Sequence, residues 1–166
     1  MESINASYLQ SVIKIFKQYK VIAERSIAQI DDAYLFVVPN ENSNSVAVVV
    51  KHMAGNMISR WTDFFTTDGE KPDRNRDGEF ENDIASKKVL MDRWEEGWKV
   101  FLATLESIKP EDLTRTIYIR GEAHSAMEAI NRQMAHYSYH VGQITYICKL
   151  LKEGEWNSLS IPKKKG

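Results

Sequence analysis

Apolar residues recur at helical spacing in several long stretches of this chain, and polar segments rich in turn formers separate them. Ser3 is placed to cap a first helix reaching about Ile30, with Ile4, Tyr8, Val12, Ile15, Tyr19 and Ile22 on its apolar stripe. Asp31 and Asp32 end it, and residues 33–44, with Pro39, Asn40, Asn42 and Asn44, make a connection. The valine-rich run from Val46 to Val50 suits a strand by propensity. Its period does not: Val46, Val50, Met53, Met57, Trp61 and Phe64 recur every three or four residues. This predicts a second helix, capped by Ser45, running to about Thr66 and buried on one side. His52 lies at the edge of its stripe, with Asn56, Ser59 and Asp63 continuing a polar border.

Residues 67–83 form a long polar loop whose glycines and Pro72 exclude a regular element. In it, Arg74 and Arg76 can bind an anion or pair with Asp73, Asp77 and Glu79. A third helix is expected from about Asp83 to Ser107, its core face made by Val89, Trp94, Trp98, Phe101, Leu102 and Leu105. Gly97 in mid-helix costs about 1 kcal/mol against alanine, which points to close packing. Beyond Pro110, residues 111–121 alternate briefly and suit an extended piece or a small hairpin. Ser125 and Glu128 form a capping box for a fourth helix, which Gly154 ends, and His124 before it reads as a loop residue. The pattern predicts an all-α four-helix bundle, one domain over residues 1–166, with a long crossover between helices two and three.

Composition narrows the function classes. Lys+Arg 22 against Asp+Glu 23 gives a net charge of -1, so no overall field favours nucleic acid. The basic tail Lys163–Lys165 reads as a frayed terminus. With Cys148 alone, an internal disulfide and a cysteine-rich zinc site are both excluded. No signal-peptide pattern and no membrane-length apolar run is present, so a cytoplasmic, reduced protein is expected, without a membrane partner.

Chemistry concentrates in the fourth helix. His136 and His140, four residues apart, lie about 40° round the helix axis from each other and one turn along. Both rings leave the face that carries Ala129, Ile144, Ile147, Leu150 and Leu151, so they are close enough to hold one metal ion. Two core histidines satisfied by hydrogen bonds are the competing reading, as a surface histidine is for His52. If the polar edge of the second helix faces the fourth, His52 joins the pair, and zinc, nickel or ferrous iron would all accept the three imidazoles. Gln133, Gln143 and Asn56 are placed to receive the other ring N–H groups, and Arg132 to receive an anionic substrate group. Tyr137 and Tyr139 read as packing residues, and Cys148, about 12 Å along the axis from His140, as a small buried hydrophobe.

The pattern Lys51-His52-Met53-Ala54-Gly55-Asn56, followed by His136, His140, Gly142 and Gln143, resembles the DinB-like (YfiT-like) superfamily. The segments Arg60 to Pro72 and Arg74 to Phe80 resemble one branch of it that carries only an uncharacterised-domain label. The resemblance implies an up-down-down-up bundle, a divalent metal held by His52, His136 and His140, and a homodimer formed through helix faces. It also implies thiol chemistry, since relatives include bacillithiol- and mycothiol-dependent transferases, a maleylpyruvate isomerase and glutathione-using counterparts.

Two functional expectations follow. One is a metal-dependent thiol S-transferase or hydrolase acting on a small molecule, in which a low-molecular-weight thiol is a cofactor and Arg132, Asn56 and Gln143 line its site. Neither helix places a glutamate beside the histidines as a general base, which favours thiol activation over hydrolysis. The other is a non-catalytic dimeric bundle that binds a metal or ligand, or acts as an interaction module. No basic helix face supports nucleic-acid binding.

Overall fold

The computed structural model describes residues 3–161; the basic tail lies outside them. Four helices account for most of the chain: α1 (Ile4–Ile27), α2 (Val46–Trp61), α3 (Lys87–Ser107) and α4 (Ala126–Leu151). A two-stranded antiparallel hairpin, β1 (Thr116–Ile119) and β2 (Glu122–Ser125), precedes α4. The protein is an all-α four-helix bundle, with the 25-residue crossover 62–86 between α2 and α3. Within it only Asp77–Phe80 makes a single 3-10 turn. None of the described helices is long and apolar enough to cross a membrane.

Each helix starts where a hydroxyl can satisfy an orphan backbone N–H. Ser3, Ser45, Ser86 and Ser125 accept from the amides of Ala6, Val48, Val89 and Glu128 respectively. At α4 the box is reciprocal, because Glu128 reaches back to the Ser125 amide at 2.7 Å.

Valine-rich α2 is helical because burial outweighs propensity. Val46, Val50, Met53, Met57, Trp61 and Phe64 are all at most 5% exposed. Burial is not confined to that stripe, however: nearly every α2 side chain is covered, so the expected one-sided helix is a central one. It packs most extensively on α3 and also meets α4, while α1 packs on α4. Gly97 makes the α2–α3 approach possible, since a Cβ there would sit 2.9 Å from the Ala54 Cα.

The centre is aromatic, contributed by all four helices: Phe16, Trp61, Trp98, Phe101 and Tyr137 are essentially inaccessible. Phe16 meets Phe101 edge-on at 4.6 Å, and Phe101 meets Tyr137 at 5.3 Å. The face of α1 is rotated from the expected one, while α3 buries Trp94, Trp98, Phe101 and Leu105 as expected. In α1, Leu9, Val12, Phe16, Ala23 and Ile27 are buried while Ile4 is exposed; in α3, Leu90 is buried where Val89 is not. In α4, Leu150 is exposed as well.

The crossover is tied to the hairpin rather than free. The Asp68 carboxylate accepts from the backbone N–H groups of Glu70, Arg120 and Gly121 at 2.7, 2.8 and 2.7 Å. Gly69 N–H donates to the Tyr118 carbonyl at 2.8 Å. The hairpin turn needs left-handed backbone at Arg120 (φ 55) and Gly121 (φ 76), and Asp68 caps it there.

Candidate metal centre

His52, Asn56 and Arg60 follow one another at four-residue steps along α2 and face Gln133, His136 and His140 on α4. The structure brings the three predicted histidines together: one nitrogen from each lies within 4.8 Å of the others. His52 Nε2 is 3.3 Å from His136 Nε2, and His136 Nε2 is 2.9 Å from His140 Nε2. Two nitrogens held tetrahedrally at ordinary zinc–imidazole lengths are about 3.4 Å apart. The first separation matches that figure; the second is a hydrogen-bond separation and has to open by about half an ångström. His52 and His140 are 6% and 9% exposed, so their polar atoms need partners.

Each outward nitrogen has one. His52 Nδ1 donates to Glu79 Oε2 at 2.9 Å, and His140 Nδ1 donates to Gln143 Oε1 at 2.7 Å. These bonds put the ring protons on Nδ1 and leave Nε2 lone pairs facing inward, the tautomer a ligand requires. His136 differs: the Gln133 amide donates to its Nδ1 at 3.2 Å and to Asn56 Oδ1 at 3.0 Å. Its proton therefore sits on Nε2 and is given to His140. The tautomers of His52 and His140 suit a ligand as they stand; that of His136 does not while the Gln133 amide, held by Trp61 and Asn56, donates to its Nδ1. Burial, then the charges of His140 and His52, lower the His136 pKa to about 3; burial also lowers that of His140. Both rings are neutral at neutral pH, as imidazole ligands must be.

Glu79 is the residue that sequence reasoning missed. The expectation that neither helix supplies a glutamate holds, but the crossover delivers one. Its carboxylate sits 7% exposed between His52 and Arg74, whose Nε and Nη2 donate to it at 2.7 and 2.8 Å. Burial pushes the carboxyl pKa up, but the hydrogen bonds from His52 and Arg74 outweigh it and hold it below the usual range. Arg74 also meets Glu70 at 3.3 Å, so the predicted loop pairing is real, with Glu79 and Glu70 as partners. The one local signal is Gly55, where any Cβ would collide with the Glu79 carboxylate.

Other predicted residues divide. Gln143 and Asn56 join the network, Asn56 through Gln133. Arg132 is exposed and lines a cavity of about 210 Å³ beside His52 and His136. Tyr137 is a core residue as expected; Tyr139 is not, being 63% exposed with its hydroxyl accepting from Gln143. Cys148 is buried, its thiol pushed up to about 12 by that burial. His124 lies on β2 rather than in a loop, and outside the cluster.

Fold and site together define a helical bundle with a three-histidine cluster at the junction of two helices and a crossover loop. The chain belongs to the family described as "Protein of unknown function (DUF1572)", whose model matches residues 3–165. A comparison with curated proteins finds no match.

Proposed function

We propose that His52, His136 and His140 bind one divalent metal ion and that the protein is a metal-dependent enzyme acting on a small molecule. The carrying observation is the convergence of three Nε2 atoms from two helices, two of them already turned inward by Glu79 and Gln143. The resemblance to the DinB-like superfamily supports the same ligand set. The chemistry such an ion supplies is Lewis acidity, which lowers the pKa of a thiol or water brought against it.

The surrounding residues favour thiol S-transfer over hydrolysis. Glu79 is the only carboxylate hydrogen-bonded to the histidines among the described residues, and it is engaged by His52 and by both Arg74 donors. A carboxylate fixed in that way orients His52 and is not free to take a proton from water. Asn56, Gln133 and Arg132 line the open side, where a substrate and a low-molecular-weight thiol have room to approach.

A second reading has its own observation. The rings close a hydrogen-bonded chain from Gln133 through His136 and His140 to Gln143 without any ion. That suits a non-catalytic bundle whose histidines are structural.

Metal content measured by mass spectrometry on the wild type, His52→Ala and His136→Ala separates the two. About one ion per chain, lost in both variants, supports the metal centre. Turnover of an electrophile such as a chlorodinitrobenzene with a panel of thiols then tests the transferase. No ion after reconstitution with zinc, nickel or iron leaves the structural reading.

A further inference from the structure

The wall of the histidine cavity carries five arginines: Arg60, Arg74, Arg76, Arg120 and Arg132. Their ion-pair partners are fewer. Glu70 serves Arg60, Arg74 and Arg120; Glu79 serves Arg74; Asp77, fully exposed, lies 3.9 Å from Arg76. Among the described residues, five guanidinium groups against three carboxylates leave two unmatched positive charges around a space of about 210 Å³.

The deficit is localised. Arg74 is saturated by Glu79 and Glu70, so it acts as a strut. Arg132 makes no ion pair or hydrogen bond among the described residues. Arg60 is only 6% exposed; its nearest carboxylate oxygen is 3.8 Å away, and its buried Nε has no hydrogen-bond partner among the described residues. A buried, unpaired guanidinium nitrogen is costly. Burial, and then the charge of Arg132, press the Arg60 pKa below its ordinary value. The two cations repel each other across a recess that an anion would relieve.

We propose that Arg60 and Arg132, with Arg120 at the rim, bind the anionic oxygens of a small dianionic substrate, a dicarboxylate or a phosphomonoester. This deepens the metal-centre reading and rests on it for the reacting end. Arg60 lies two helical turns beyond His52 on α2, and Arg132 one turn before His136 on α4. Both displacements run toward the same end of the cavity, so an anion held there points the rest of the molecule at the histidines. The volume equals about seven water molecules, which suits a small compound. Planar guanidinium forks bind both carboxylate and phosphate oxygens in pairs.

The test is calorimetric titration of succinate, inorganic phosphate and acetate into chelator-treated protein, repeated with zinc. Saturable binding of succinate or phosphate, at least about tenfold tighter than acetate, is expected. Arg132→Gln, an exposed change that spares the core, weakens it about tenfold or more, while Arg25→Gln on α1 leaves it unchanged. Phosphate binding without succinate assigns a phosphoryl group; succinate without phosphate assigns a dicarboxylate. Absence of saturable binding in either metal state, or equal affinity in the wild type and Arg132→Gln, overturns the proposal. The two readings fail separately: anion binding by a protein that takes up no metal removes only the metal centre, and a loaded metal centre that ignores all three anions removes only the arginine site.

Discussion

Glu79, from the middle of a polar crossover, accepts the Nδ1 proton of His52 at 2.9 Å, 27 residues away in sequence. The bond orients the one histidine that α2 contributes to the cluster. It also joins the ring to Arg74, so the crossover is part of the site rather than a cover over it.

Glu79→Ala is expected to act on stability and on metal affinity together. Arg74, with a side chain 4% exposed, would lose its bidentate partner, and removing one member of a buried pair costs about 3–5 kcal/mol. Loss of the His52 orienter is expected to weaken zinc binding about 10–100-fold. Urea melts with and without chelator, beside a chromophoric-chelator competition, read the two effects. A variant with unaltered zinc affinity would show that Glu79 serves only Arg74.

Gln133 tests whether the cluster evolved to hold an ion or a hydrogen-bonded chain. In the structure it donates to His136 Nδ1, the arrangement of an ion-free network. Gln133→Glu offers only an acceptor there and should move the His136 proton to Nδ1, tightening zinc binding. Gln133→Met offers nothing and should weaken it about tenfold or more. The same competition assay ranks them; equal affinities in both variants and the wild type would sink the orienting role.

Two helical glycines should respond oppositely to alanine. At Gly97 the new methyl meets the Ala54 backbone at 2.9 Å, and separating α2 from α3 is expected to cost about 1–3 kcal/mol beyond the helix-propensity gain. At exposed Gly142 nothing lies within 4 Å, so alanine should stabilise by about 0.5–1 kcal/mol. Chemical denaturation of the pair decides it, and destabilisation at Gly142 would contradict the open surface seen there.

The histidines make stability depend on pH in a defined direction. His136 titrates near 3 in the folded protein and near 6.5 when unfolded, so below about 6.5 the unfolded chain binds more protons. Its contribution is complete above pH 6.5 and is lost as the pH falls toward 3, at a limiting slope of about 1.4 kcal/mol per unit for one proton. His140, whose pKa is also lowered, adds to the same trend. Urea melts of chelator-treated protein between pH 7 and 5 should show the decline, reduced in His136→Gln. A flat profile would mean that the ring is protonated within the fold.

The sequence by itself determined the four helices, the caps of three of them and the histidine pair of the fourth. Period and capping chemistry are local, so Ser45 and the stripe from Val46 to Phe64 marked α2 as a helix despite its valines, and Ser125 with Glu128 marked the start of α4. His136 and His140 were legible because four residues is one helical turn. What only the tertiary structure decided depends on contacts with no fixed sequence separation. The rotation of α1, which exposes Ile4 and buries Leu9, and the choice of Leu90 over Val89 in the first turn of α3 are set by which neighbours each helix meets. The burial of His52 follows from α2 being enclosed on nearly every side, a property its own polar border conceals. Glu79 and Arg60 were hidden for the same reason. A loop carboxylate and a helix arginine look solvent-exposed in one dimension, and the crossover, tied down by Asp68 on the hairpin, covers them in three.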